Sequence, residues 1–424
     1  MATTTTTTTM TTMTTAVRLY GKNDLRLEQF ALPPISDDEI LARVVSDSLC
    51  MSSRKAALQG ADHKRVPADV SENPVIVGHE FSGELLEVGT AWRHKFAPGQ
   101  KFSIQPALRH KGSLDAPGYS YRYIGGNATY IVIPREVMEE GCLLPFGGDA
   151  YFYASLSEPM SCVIGGFHAS YHTTSCRYEH EMGIMGGGRM ALLAGAGPMG
   201  LGAIDYAIHG ARKPGLLVVT DIDGARLGWA ARILTVEEAA RNGVTLIYLN
   251  SGDADTLLGL TDGRGFDDVF VYAPVAPLIT LGDRILGRDG CLNFFAGPTD
   301  TGFAAALNFY NVHYESTHIA ATSGGNTDDM IEALSLMEGG LINPAAMITH
   351  VGGLDSAIGA TLNLDKIPGG KKLIYTHIAM PLTAIADFGR MDDPVLQRLA
   401  EITSRHNGLW SAEAERYLLS EKEV

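Results

Sequence analysis

Cysteine is scarce in this chain of 424 residues: there are five, Cys50, Cys142, Cys162, Cys176 and Cys291. Their odd number and wide spacing do not suit a disulfide framework, and the lack of any C-x-x-C pair excludes a four-cysteine zinc lobe. Long apolar runs are missing as well. No uninterrupted stretch reaches the roughly 18 residues of a membrane-spanning helix. Positive charge is in deficit, with 33 Lys and Arg against 48 Asp and Glu and a formal net charge of −15. That balance argues against nucleic acid or an anionic membrane surface as a general partner, though a local basic pocket is still allowed. The opening MATTTTTTTMTTMTT has no basic segment leading into an apolar core, so it reads as neither a secretory signal nor a transit peptide. Residues 1–15 are expected to be a disordered Thr-rich leader. These absences together point to a reduced, cytoplasmic setting.

What is present centres on residues 190–221. Met190 to Ala194 is an apolar run with the length of a buried strand. Gly195, Gly197 and Gly200 follow in G-x-G-x-x-G spacing, with Pro198 and Met199 between the last two. Ile204, Ala207 and Ile208 recur at helical spacing, and Gly210 stands where a helix would stop. A second run, Leu216 to Val219, ends at Thr220-Asp221. In this pattern Gly195 allows the tight turn, Gly197 lets the backbone approach a pyrophosphate, and Gly200 lets helix and strand pack closely. The pyrophosphate would rest on the helix N-terminus. Asp221 would accept hydrogen bonds from the adenosine ribose and repel a 2′-phosphate, favouring NAD(H) over NADP(H). Arg226 could favour that phosphate, but beside Asp221 and Asp223 it reads as secondary.

Further apolar runs at 245–249, 268–272, 290–295 and 317–321 alternate with helical segments near 224–242, 251–260, 276–287 and 300–312. Six runs of this kind predict a doubly wound parallel sheet. The N-terminal part differs. Residues 16–45 alternate apolar and polar positions and read as antiparallel β-structure. Within NPVIVGHEFSGELLEVG, His79 and Glu80 sit between two apolar runs and need partners inside the protein. Cys50 precedes them at the end of a strand, and Glu158-Pro159 suits a helix start. Basic residues gather locally, at Arg54, Lys55, Lys64 and Arg65 and again from Arg93 to Arg122. A solvated loop surface explains them as well as a rim for an anionic substrate does. Asp393-Pro394 and Ser411 look like helix starts in the tail.

Cys50, GHE at 78–80, Glu158-Pro159 and GAGPMG together resemble the zinc-dependent medium-chain dehydrogenase/reductase family over about residues 16–376. Within it, LCMSS, PGYSYRYIGGNATY, LSEPMSC, FAGPTD and TSGGNTDD look like the L-sorbose-1-phosphate reductases. The resemblance implies a mainly β GroES-like catalytic domain (16–165 and 345–376), a Rossmann cofactor domain (166–344) and a helical extension (377–424). It implies that Cys50 and His79 are zinc ligands, with Glu80 or Glu158 completing the site, and that Ser52 opens a proton relay. Capping of the following helix is the competing reading of Ser52. The cysteines that hold the family's structural zinc are absent from 91–125, so one catalytic zinc is expected and no structural one. Ser53 stands where many members have an Asp supporting the histidine ligand. Tyr119, Tyr121 and Tyr123 alternate as in a strand and read mostly as packing.

The expected activity is hydride transfer between NAD(H) and a small phosphorylated ketose or polyol, L-sorbose 1-phosphate to D-glucitol 6-phosphate. Arg54, Lys64, Arg65 and Arg122 are the candidate phosphate contacts. An NAD-dependent dehydrogenase of an unphosphorylated polyol is the alternative, and a non-catalytic nucleotide-binding protein the remote one. Family members are commonly dimers or tetramers, so a homo-oligomer is expected.

Overall fold

The computed structural model describes residues 11–174, 177–250 and 252–422. The chain divides into two compact units, Met1–Ser157 with Ile348–Val424, and Glu158–Met347.

The Glu158–Met347 unit holds a six-stranded parallel sheet. Its strands, in chain order, are Arg189–Leu193, Leu216–Asp221, Thr245–Asn250, Phe266–Val271, Leu286–Phe294 and His318–Ala320. Their spatial order is 3-2-1-4-5-6, that of a dinucleotide-binding sheet whose chain reverses beside the first strand. All six expected runs are strands. Those in the middle of the sheet are buried and largely apolar, as in a parallel sheet covered on both faces, with acids such as Asp267 and Asp268 near their ends. Ala191, Leu193, Val218, Val269, Val271 and Leu292 make one core. The helix expected near 300–312 is confined to Phe309–Tyr314.

The other unit is mainly β. An eight-stranded sheet runs in the order Thr383–Ala384, Ile348–Gly353, Lys371–Tyr375, Ile40–Ser48, Phe81–Val88, Lys101–Ile104, Leu143–Phe146, with Tyr130–Ile133 also on Ile40–Ser48. A three-stranded sheet joins Asp24–Ala31, Met13–Gly21 and Val75–Ile76. Strand Met13–Gly21 corrects the extent of the leader. Residues 1–10 lie outside the described residues, but the strand begins at Met13. Thr14 Oγ1 donates to the Tyr130 carbonyl at 2.8 Å, and β-branched threonine suits the strand it enters.

Three strand ends meet through the register of the larger sheet. Asp47 pairs with Phe81, and Ile374 with Asp47, both antiparallel. Ser48 N–H donates to the Glu80 carbonyl, and Leu49 N–H to that of Lys372, each at 2.9 Å. The end of Ile40–Ser48, the start of Phe81–Val88 and the start of Lys371–Tyr375 therefore converge. Gly78 makes this possible at the turn before His79. Its φ is +95°, and a Cβ there would stand 2.4 Å from Asn127 Nδ2.

The tail folds onto this same unit as helices Pro394–Arg405 and Ala412–Lys422. Asp393 caps the first, accepting from Val395 N at 2.8 Å. Trp410, between them, is buried and donates to Tyr375 Oη at 2.8 Å.

Candidate metal centre and cofactor turn

Cys50, His79 and Glu80 lie together. One ligand atom from each falls within 4.8 Å of the other two. Donors bound at 2.0–2.3 Å to one zinc ion stand no more than about 4.6 Å apart, so the cluster is within a few tenths of an ångström of the spacing a shared ion needs. The donor set of sulfur, imidazole and carboxylate is also zinc's own.

Each side chain is held in place by its neighbours. Cys50 is the N-cap of helix Met51–Gln59, whose positive end favours an anionic sulfur. Ser52 Oγ donates to Cys50 Sγ at 3.0 Å. His79 is buried, and burial pushes its imidazole down to about 4, so it is neutral and able to ligate. Ser53 Oγ is 3.0 Å from Nδ1. It occupies the supporting position with a hydroxyl, directing Nε2 toward the hydroxyls of Ser52 and Tyr119, each 3.3 Å away.

Glu80 is fully buried, and burial opposes its charge. The Lys371 ammonium, 2.5 and 2.6 Å from its two oxygens, overcomes that penalty and leaves the carboxyl below its ordinary range. Behind it lies Asp47, hydrogen-bonded to Asn127 and pushed well above the carboxylate range by burial and by Glu80. One ammonium therefore serves the carboxylate of Glu80, beside a second carboxyl held toward its neutral form.

Sequence reasoning missed Lys371. Its signal was two adjacent lysines opening the last apolar strand, KKLIY, where both are buried. Tyr119 was undervalued. Its ring is buried, and its hydroxyl donates to Ser52 Oγ at 2.9 Å. Of the candidate phosphate contacts, Arg54 is engaged elsewhere, 2.9 Å from Asp365 and bonded to the Leu362 carbonyl. Lys64 and Arg122 are exposed, and the Arg65 guanidinium lies over the Tyr119 ring. Glu158 belongs to the other unit, in the first turn of helix Ser157–Ala169, where Cys162 Sγ approaches its Oε1 at 3.7 Å.

In that unit the glycine turn leads into helix Pro198–His209, with Gly197 as N-cap and Pro198 and Met199 in the first turn. A Cβ on Gly200 would stand 2.0 Å from the Gly195 carbonyl oxygen, so only glycine fits. Around a Cβ on Gly197 there is open space, as a ligand-facing position requires. One detail is corrected: the left-handed residue of the turn is Ala194, φ +54°, and Gly195 is needed for its close approach to Leu192. Asp221 ends the second strand, accepting from Ala196 N at 3.2 Å and Asp223 N at 3.0 Å. Arg226 pairs with Asp223 at 3.4 Å.

A mainly β unit carrying a Cys-His-Glu cluster, with a doubly wound unit carrying a dinucleotide turn, defines a metal-binding dehydrogenase. Residues 36–140 match the alcohol dehydrogenase GroES-like domain. The chain is 54% identical over 412 residues to L-sorbose 1-phosphate reductase of Klebsiella pneumoniae, covering 96% of this chain and 98% of that one. It is 53% identical over 411 residues to mannitol-1-phosphate 5-dehydrogenase of Aliivibrio fischeri, covering 96% and 97%. A Sinorhizobium meliloti 1021 dehydrogenase structure bound to NADP shares the fold, at TM-score 0.69 and 22% identity over 86% of this chain and 99% of that one. The chain belongs to the zinc-dependent medium-chain dehydrogenase/reductase family. It is an oxidoreductase of the zinc- and nicotinamide-dependent kind, and among the described residues no helix is long and apolar enough to cross a membrane.

Proposed function

We propose that this protein interconverts a phosphorylated ketose and the corresponding polyol phosphate, with L-sorbose 1-phosphate and D-glucitol 6-phosphate as the leading pair. The observation that carries the reading is the Cys50-His79-Glu80 cluster with two hydroxyls beside it, in a chain similar along nearly its whole length to enzymes named for sugar phosphates. Cys50 and His79 hold one zinc ion, and the third protein ligand is Glu80 or Glu158. When bound, zinc supplies a Lewis acid at the reacting carbonyl oxygen, and the nicotinamide supplies the hydride. Ser52 Oγ gives that oxygen its proton and is resupplied by Tyr119 Oη, which donates to it from 2.9 Å. Ser53 fixes the His79 ring, and Lys371 keeps Glu80 ionised.

In the Glu158–Met347 unit, Gly195, Gly197, Pro198, Met199 and Gly200 cradle the pyrophosphate. Asp221 takes the ribose hydroxyls and favours NAD(H), with Arg226 held on Asp223. Phe309, Tyr310 and Tyr314 are exposed beside the edge strand His318–Ala320, a surface suited to a second copy in a homo-oligomer. Among the described residues no disulfide is formed, in keeping with a cytoplasmic setting.

NADH oxidation measured with L-sorbose 1-phosphate, fructose 6-phosphate and the free sugars, with and without a chelator, tests the reading. Turnover should require zinc and should prefer a phosphorylated ketose. Equal kcat/KM with and without phosphate would replace it by a dehydrogenase of free polyols.

A further inference from the structure

The basic candidates near the metal cluster are not equivalent. Arg54 is spent on Asp365. Arg65 is different on three counts. Its guanidinium carbon lies 5.3 Å from the centroid of the Tyr119 ring. Its Nε is buried and has no hydrogen-bond partner among the described residues. Its backbone is fixed at both ends, since Arg65 N donates to His63 Nδ1 at 3.3 Å and its carbonyl accepts from Ser120 Oγ at 2.7 Å.

Tyr119 links this arginine to the cluster. Its ring centroid is 4.9 Å from that of His79, and its hydroxyl is 3.3 Å from His79 Nε2. The guanidinium is therefore one aromatic ring away from the ligating imidazole, within the span of a hexitol phosphate. His63 stacks on the same tyrosine, centroids 5.7 Å apart and planes 10° from parallel. Because Nδ1 of His63 accepts from the Arg65 backbone, its Nε2 carries a proton to donate. Burial first, and then the charges of Arg65, Lys55 and Lys64, push His63 down to about 4. The one acid in this stretch, Asp62, is paired with Lys22 at 2.5 Å.

A planar guanidinium with an unsatisfied buried donor, a neutral imidazole N–H and a surplus of cations is complementary to a phosphate dianion. The neutral hydroxyl of a free sugar cannot answer all three. We infer that Arg65, laid on Tyr119 and seconded by His63, is the residue that selects phosphate monoesters over free sugars. This rests on the reading of the enzyme as a sugar-phosphate oxidoreductase, and it assigns the discrimination to one side chain.

The test compares the zinc-loaded wild type with Arg65→Gln and Arg65→Lys. The readouts are kcat and KM for L-sorbose 1-phosphate and for L-sorbose, and inhibition by inorganic phosphate. Zinc content and NADH binding serve as the check on folding. For Arg65→Gln, KM for the phosphorylated ketose should rise roughly 100-fold while kcat changes much less. The preference for phosphate should collapse by the same factor, and inhibition by inorganic phosphate should weaken in parallel. Arg65→Lys, which keeps the charge but not the fork, should fall between the two. A wild type that prefers the phosphorylated sugar, with Arg65→Gln and Arg65→Lys both retaining that preference, overturns the inference and leaves the proposed function standing. A wild type with no such preference overturns both.

Discussion

Two glutamates in the mainly β unit are buried to the same degree and behave in opposite ways. Glu80, at the metal cluster, faces the Lys371 ammonium and is held below its ordinary range. Glu415, in the last helix, faces no cation at hydrogen-bond distance among the described residues. It accepts from Tyr151 N at 2.5 Å, Phe152 N at 2.9 Å and Tyr375 Oη at 2.8 Å. Burial outweighs those donors and pushes it up to about 7. Neutral donors orient a carboxylate, whereas a buried full charge of opposite sign keeps it ionised. The first region keeps an anion beside Cys50 and His79. The second uses a carboxyl group as a staple, tying the tail to the helix Tyr151–Ser155 and to the strand Lys371–Tyr375.

The largest effect that separates the regions is chemical. Cys50→Ala or His79→Ala should remove zinc from the protein and lower kcat/KM by about 10³-fold or more, the loss of several kcal/mol of Lewis-acid stabilisation. Metal analysis alongside turnover checks this. Changes confined to the tail staple should leave the zinc content as in the wild type.

Next comes the ion pair itself. Lys371→Met strands a buried carboxylate and should cost about 3–5 kcal/mol in unfolding free energy. Adding Glu80→Gln should recover much of that loss, because no charge is then left unpaired. Chemical denaturation of the single and double variants measures the coupling. A single variant as stable as the wild type would mean that the ammonium does not sustain the Glu80 charge.

The contrast also shows what could be read from the chain and what could not. GHE at 78–80 was legible because a turn glycine and two ligand-type residues are contiguous. The dinucleotide turn was legible for the same reason. Lys371 was not, since it meets Glu80 only through strands paired across 291 positions. Ser53 was noticed as a departure, but its hydrogen bond to His79 needed the fold. Tyr119 alternates with its neighbours as packing residues do, yet its hydroxyl enters the site. In the tail, Asp393-Pro394 announced a helix, whereas nothing local to Glu415 told that it would be buried on the far-removed Tyr151. Local geometry is written in contiguous residues; electrostatic partners are chosen by topology.

The pH dependence should have opposite signs in the two regions. Glu80 is lowered in the folded state, so its contribution is present above the ordinary carboxylate value and lost as pH falls through the lowered one. Glu415 is raised to about 7 from 4.5, so the folded state holds that proton more tightly. Its contribution is full below pH 4.5 and lost as pH rises through about 7, on the order of 3 kcal/mol over that window. Glu415→Gln, which cannot ionise, should flatten the stability profile between pH 4.5 and 7 and leave the acid limb intact. Thermal unfolding at a series of pH values reads both limbs. An unchanged neutral limb would mean that Glu415 is ionised at neutral pH and that its three donors suffice without a cation.

The smallest effect lies outside both regions and serves as their control. Asp221→Ser removes a carboxylate from the end of the second parallel strand, where it accepts from Ala196 N in the glycine turn and from Asp223 N just beyond the strand. It should shift the ratio of kcat/KM for NADPH over NADH by about tenfold toward NADPH, a change near 1.4 kcal/mol. Zinc content, preference for a sugar phosphate and the two pH limbs should all stay as in the wild type. Asp221 sits in the other compact unit and shares no partner with Glu80 or Glu415, so the effects should add. An Asp221→Ser enzyme still confined to NADH would shift the cofactor choice from this carboxylate to other residues around the ribose, without touching the contrast between the two glutamates.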